Sequence, residues 1–269
     1  MFQLERLDKI LTFVNEHKKA NTAELSEIFD VSPVTIRRDI EKLSADGLLI
    51  KTHGGAMASE STNLHDIPFA SRLVQNLSAK KAIAKAAAAL IRDGDTIILD
   101  SGSTTLEIAR NITQQQITVV TNDIRIAIEL FSKPNITVRV PGGTLQDTVY
   151  VLIDGNTNRY FSMLHVNKTF LSCDAVDSAF GVSNRSYDQG LIKQRLIAAA
   201  DEVILTADSS KFNKKAFSSI CGLDEINTLV TNRIPADIQQ ECSRHGVHVI
   251  NTDTPEDGDA KALEDMTSP

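Results

Sequence analysis

No apolar run in this 269-residue chain approaches the roughly 18 residues needed to cross a bilayer, so no membrane-spanning helix is expected. Its first residues, Met1-Phe2-Gln3-Leu4-Glu5-Arg6, lack a basic region followed by a hydrophobic stretch, and no secretory leader is expected either. Cysteine is scarce: Cys173, Cys221 and Cys242 lie far apart and are odd in number. That argues against a disulfide framework and against metal-ligand spacing, and fits a reducing cytoplasm. No internal repeat is present. Nor is there an excess of positive charge: the net charge is −7, and residues 1–57 carry eight Lys/Arg against nine Asp/Glu. Any attraction to phosphate must therefore come from where the charges stand, not from their number.

What is present is 42% hydrophobic residues in a length that fits one large domain and one small one. Residues 1–57 show short helical periodicities closing in a Gly-Gly turn. Residues 58–77 are mixed and polar and read as a linker. From 78 to 251 apolar strands alternate with amphipathic helices. Residues 252–269 are acidic and rich in small side chains, the composition of a disordered tail.

In the first segment Leu4, Leu7, Ile10, Leu11 and Val14 recur at spacings of three and four, predicting a helix with one apolar stripe. A second helix is expected from Asn21-Thr22, with Glu24 placed for a capping box and Leu25, Ile28 and Phe29 turned inward. After a turn at Asp30-Val31, Ser32 is a good N-cap and Pro33 suits the first helical position. This third helix should run to about Asp46 and stop at Gly47. At 100° per residue, Ile36, Ile40 and Leu43 share one side, while Val34, Arg37, Arg38 and Glu41 share the other, flanked by Thr35 and Lys42. Short and cationic residues on the outer face of a helix that follows a tight turn suit insertion into a DNA major groove. Thr35 offers a hydroxyl and a methyl to base edges, and Arg37 and Arg38 suit phosphate or guanine. The strand-like residues 48–50, followed by Lys51-Thr52-His53-Gly54-Gly55, predict a short hairpin whose Lys51 and His53 reach the DNA backbone.

The run Val31-Ser32-Pro33-Val34-Thr35-Ile36-Arg37-Arg38-Asp39-Ile40, with Leu43, Gly47 and His53-Gly54-Gly55-Ala56, resembles the N-terminal signature of the DeoR family of bacterial transcriptional regulators, over essentially all of residues 3–58. The resemblance implies a winged helix-turn-helix with its motif at about 20–39, a C-terminal domain that senses a phosphorylated sugar, and a repressor's role. Double-stranded operator DNA and a sugar phosphate are the partners it implies.

In the larger segment, strands are expected at 96–100, 117–121, 136–140, 168–173 and 203–208, with helices between them, so the sheet should be mostly parallel. Ligands in such sheets collect at the carboxyl ends of the strands. Polar or glycine residues stand at each of those ends: Asp100, Thr121-Asn122, Gly142-Gly143, Asp174, and Asp208 with Lys211. Ser101-Gly102-Ser103-Thr104-Thr105 between a strand and a helix start is suited to an anion, with backbone N–H groups and the helix dipole directed at it.

This segment resembles the DeoR-family sensor domain, which is similar in turn to ribose-5-phosphate isomerase. The expected architecture is thus α/β: a winged helix-turn-helix joined to a mostly parallel sheet domain similar to that isomerase. Residues 100–105 look like the enzyme's phosphate loop, Asp174 and Asp177 like its pair of aspartates, and Asp208-Ser209-Ser210-Lys211 like its Asp-x-Ser-Lys turn. Where the enzyme has a Glu-Lys pair, this chain has Ile192-Lys193. Moving a proton between carbons needs a positioned base, so a sensor is expected in place of an isomerase, with Lys193 and Lys211 as cationic ligand contacts. No metal or cofactor is expected, and a homo-dimer or homo-tetramer is, because helix-turn-helix proteins read paired half-sites.

Overall fold

The computed structural model describes residues 3–45, 48–58, 75–146 and 150–253. The expected helix stop at Gly47, most of the linker and nearly all of the acidic tail lie outside the described residues.

The N-terminal unit packs three helices on a small antiparallel sheet. Helix α1 (Gln3–His17) buries Leu7, Ile10, Leu11 and Val14, the residues at spacings of three and four. A strand that the periodicity did not announce, β1 (Lys19–Asn21), follows it. Helix α2 (Thr22–Phe29) is closed by the capping box: Asn21 Oδ1 accepts from the Glu24 amide at 2.8 Å and Glu24 Oε2 from the Asn21 amide at 3.3 Å. Of its apolar residues Leu25 is fully buried, but Ile28 is 49% exposed. Ile28 lies on the rim of a cleft toward the second unit and not in the three-helix core. Helix α3 (Pro33–Ala45) begins where Ser32 Oγ accepts from the Thr35 amide at 3.2 Å, and it buries Ile36, Ile40 and Leu43. Strands β2 (Leu49–Thr52) and β3 (Gly55–Ala58) form the expected hairpin, and β1 completes the sheet in the order β1-β3-β2. Gly55 is where β3 crosses β1: a Cβ there would sit 2.0 Å from the Ala20 carbonyl oxygen, so only glycine fits.

The second unit opens with α4 (Leu77–Ala88), whose Ile83, Ala84, Ala87 and Ala88 are buried in the core. Strands β4 (Thr96–Leu99), β5 (Ile117–Val120) and β6 (Ile136–Arg139) alternate with α5 (Ser103–Asn111) and α6 (Ile124–Phe131). A hairpin, β7 (Thr144–Gln146) and β8 (Val151–Ile153), and helix α7 (Gly155–Phe161) lead to β9 (Val166–Leu171). Strands β10 (Ala175–Asp177), β11 (Gly181–Asn184) and β13 (Ser218–Cys221) make a separate antiparallel sheet. Helix α8 (Tyr187–Ala198) precedes β12 (Ala200–Thr206), and β14 (Thr228–Thr231), α9 (Ala236–His245) and β15 (His248–Asn251) finish the main sheet.

That sheet has seven parallel strands in the order β15-β14-β12-β9-β4-β5-β6. Ile97, Leu99, Phe170, Ile204 and Val230 fill one of its buried faces, and Ile98, Val120, Leu171, Leu205 and Leu229 the other. From β4 the chain winds outward through β5 and β6, then returns to the other side of β4 and winds outward again from β9. The direction reverses between β4 and β9, and the loops leaving those two strands must part there. Such a switch point opens a crevice at the carboxyl ends of the strands. Among the described residues no helix is long and apolar enough to cross a membrane.

Candidate functional site

The face of α3 that points away from the core shows how a module with no positive excess presents positive charge. Asp39, on the same helix, is turned inward and 1% exposed, and its Oδ2 accepts from Arg6 Nε of α1 at 2.6 Å. Its charge is thereby cancelled inside the unit. Ser32, Pro33, Val34, Arg37, Arg38 and Lys42 are exposed along the outer face, and Thr35, half-buried, holds its hydroxyl 2.9 Å from Ser32 Oγ. Between this helix and the hairpin lies a cavity of about 510 Å³ lined by Arg37, Lys51 and His53 among others. Lys51 does not stand free: its Nζ lies 2.6 Å from Glu41 Oε1, which holds the Glu41 carboxyl below the usual carboxylate range. Both partners are about half exposed, and such surface pairs contribute little.

The crevice at the switch point draws together residues distant in sequence. Ser101, Gly102, Ser103 and Thr104 after β4, Asp174 after β9, Lys193 on α8, and Asp208 and Lys211 after β12 line one cleft of about 50 Å³. Gly102 is required by close packing: a Cβ there would lie 2.8 Å from Ser172 Oγ. Beyond it the first amides of α5 have no intrahelical acceptor and face the cleft with the positive end of the helix dipole.

Asp100 and Lys193 form an ion pair just below this surface, both almost completely buried. Lys193 Nζ also lies 3.1 Å from the Ser172 carbonyl, and Asp100 Oδ2 accepts from the Ser172 amide at 2.9 Å. Burial raises the proton affinity of Asp174, but the Arg185 guanidinium, 2.7 Å away, and the Arg185 amide overcome it and hold the carboxyl well below its ordinary range. Asp208 is likewise raised by burial and, on balance, lowered by Lys211, by Ser210 and by Lys80. Burial pushes the Cys173 thiol up to about 12 despite two nearby lysines, so it is no nucleophile near neutrality.

The structure does not bring the remaining expected ligand residues into the cleft. Thr105 is fully buried and donates to the Gly102 carbonyl at 3.0 Å. Thr121 Oγ1 accepts from the Asp123 amide, and Asn122 donates to the Leu152 carbonyl, tying β5 to the β7–β8 hairpin. Gly142 and Gly143 pack on α7, where Thr157 Oγ1 donates to the Gly142 carbonyl at 2.9 Å. Asp177, second of the aspartate pair, caps the turn after β10 by accepting from the Ala179 and Phe180 amides. Conversely, Lys80, Ser172, Asn184 and Gln189 line the cleft although they stand outside the polar strand ends expected to form it. Lys80 belongs to an alanine-rich helix that reads as packing alone. A buried lysine on an apolar helix face was the available signal.

A three-helix unit with a hairpin wing, joined to a parallel sheet with an anion-suited crevice, defines a two-domain transcription regulator of helix-turn-helix type. Residues 6–62 match the DeoR-like helix-turn-helix domain and residues 75–233 the DeoR C terminal sensor domain, and the chain belongs to the DeoR family. It is 40% identical to the HTH-type transcriptional regulator YulB of Bacillus subtilis, over 86% of this chain and 90% of that protein. It is 32% identical to the lactose phosphotransferase system repressor of Staphylococcus epidermidis, over 86% and 93% of the two chains. Ribose 5-phosphate isomerase A from Methanocaldococcus jannaschii overlies 51% of this chain and 55% of its own, at 18% identity and a TM-score of 0.37.

Proposed function

We propose that the protein represses genes of carbohydrate catabolism by binding operator DNA, and that a phosphorylated sugar in the β4–β9 cleft controls its affinity. The observation that carries this reading is the convergence at the switch point of the Ser101–Thr104 turn, the α5 N-terminus and the cations Lys80 and Lys211. The name of the lactose phosphotransferase system repressor supports a sugar-linked role. The outer residues of α3 read the major groove, and Lys51 and His53 contact the backbone. Two recognition helices on one duplex need two copies, so the working form is a homo-dimer or homo-tetramer.

Isomerase chemistry is disfavoured by the same cleft. Ile192 stands where a base would be needed and is buried in an apolar cluster. Asp174 is clamped by Arg185 with a depressed proton affinity, which makes it a weak base.

The test uses purified full-length protein, a panel of pentose and hexose phosphates, and DNA fragments flanking its own gene. Arg38→Ala should weaken specific retention about 5- to 150-fold, equivalent to the ~1–3 kcal/mol of one good contact, and leave ligand-induced thermal stabilisation intact. Lys211→Ala should do the reverse. Absence of specific DNA retention, with or without sugar phosphates, would sink the proposal, and turnover of a sugar phosphate abolished in Asp174→Asn would replace it with the enzyme.

A further inference from the structure

Helix α4 is capped in an unusual way. Its N-cap residue, Asn76, sits in the left-handed region at φ 53° and makes no side-chain bond to its own helix. Instead its Nδ2 donates to Asp208 Oδ1 of the cleft at 2.9 Å. Asp8, from α1 of the DNA-binding unit, lines the cleft between the units together with Leu77 and Ser78 of that first turn, and the backbone amides of Asn76, Leu77 and Ser78 favour its ionised form. Asp8 is 8% exposed, and its Oδ1 has no hydrogen-bond partner among the described residues. Burial raises its proton affinity against the pull of these amides and of Lys80.

Lys80 stands between the two units. It is 4% exposed, lines the cleft, and donates from Nζ to the Gln75 carbonyl at 2.6 Å. Its charge acts on Asp208 on one side and on Asp8 on the other. One helical turn thus stands against a carboxylate of each domain, bonded to Asp208 through Asn76 and sharing a cleft with Asp8, with the buried Lys80 near both.

We propose that the first turn of α4 is the coupling element between the domains, and that an anion entering the cleft loosens the docking of Asp8 and with it α1. The inference rests on the reading of the cleft as a phosphate site. Its physical basis is space and charge. The enclosed part of the cleft, about 50 Å³, is small beside a sugar phosphate, so a bound sugar phosphate presses on the groups that line it. Lys80 drawn toward a phosphate leaves Asp8 without its nearby cation and adds a like charge at short range. Asp208, facing the same anion, shifts away and takes the Asn76 side chain with it. An effector acts only through such a difference in affinity between two arrangements.

The experiment follows amide hydrogen exchange in the full chain with inorganic phosphate, ribose 5-phosphate and glucose 6-phosphate, alongside thermal stabilisation by the same compounds. In the wild type, a stabilising compound should speed exchange in α1 and at residues 77–80 about fivefold or more, the lower end of usual coupling. In Asp8→Asn, and independently in Asn76→Ala, that response in α1 should fall to near onefold, while Asp8→Asn keeps its thermal stabilisation. Stabilisation of the wild type with α1 exchange unchanged would overturn the coupling and leave the phosphate site standing, as would a full response in both variants. No stabilisation by any of the three compounds would overturn the phosphate site itself, and the coupling with it.

Discussion

Replacing Lys193 by methionine keeps the length of the side chain and removes its charge from a place the solvent scarcely reaches. The Lys193 side chain is 3% exposed and that of Asp100 1%. Lys193 Nζ pairs with Asp100 Oδ2 and lies 3.1 Å from both the carbonyl and the hydroxyl of Ser172. After the substitution, the Asp100 carboxylate keeps only the Ser172 amide at 2.9 Å and the hydroxyl at 2.8 Å, with no cation against it. Breaking a buried pair by removing one partner costs about 3–5 kcal/mol, because the charge left behind is uncompensated. For a domain of this size each kcal/mol moves Tm by about 2–4 °C, so Lys193→Met should lower it by roughly 6–20 °C. The double variant Lys193→Met with Asp100→Asn removes the orphaned charge and should recover most of the loss. Urea unfolding followed by far-UV circular dichroism, with calorimetric Tm, measures both. A single variant that loses less than about 1 kcal/mol, or a double variant no more stable than the single, would refute the assignment of Lys193 to holding the cleft floor.

Two further outcomes follow from the charge states. Asp174 and Asp208 both hold their protons more weakly in the folded protein than the ordinary value of 3.8. Their stabilisation is present above that value and is lost as the pH falls below it, so the urea midpoint should drop below about pH 3.8 and the drop should be smaller in Asp174→Asn, as urea titrations from pH 5 to pH 2 would show. The thiols of Cys173, pushed up to about 12, and of the buried Cys221 and Cys242 should resist a disulfide reagent at pH 8 and all three should react after unfolding; rapid labelling of Cys173 in the native protein would contradict its raised proton affinity.

The local periodicities of the N-terminal unit carried straight into structure. Asn21 with Glu24, Ser32 with Pro33, and the 36-40-43 stripe each encode their element within one or two helical turns, where the residues are neighbours along the chain. The alternation of strands and helices likewise encodes a parallel sheet. What the spacing left hidden was any element or contact made between distant segments. Strand β1 has only three residues and exists because β3 pairs with it. Ile28 fits the pattern of a core residue, yet it lies at the rim of the cleft between the two units, outside the cluster that takes Leu25 and Phe29 of the same helix.

The site divides along the same line. The sequence by itself determined the composition of the α3 face and the hydroxyl-rich turn that opens α5, since both are contiguous runs of residues. Only the tertiary structure decided which strand ends meet. The reversal of winding between β4 and β9 parts those two loops and gathers Ser101–Thr104, Asp174, Asp208 and Lys211 into one cleft. The polar ends of β5 and β6 hold a hairpin and a helix in place instead. Charge was decided there too: Asp39 and Lys51 carry opposite formal charges in one short module, and it is their partners Arg6 and Glu41 that leave Arg37, Arg38 and Lys42 to set the sign of the outer face.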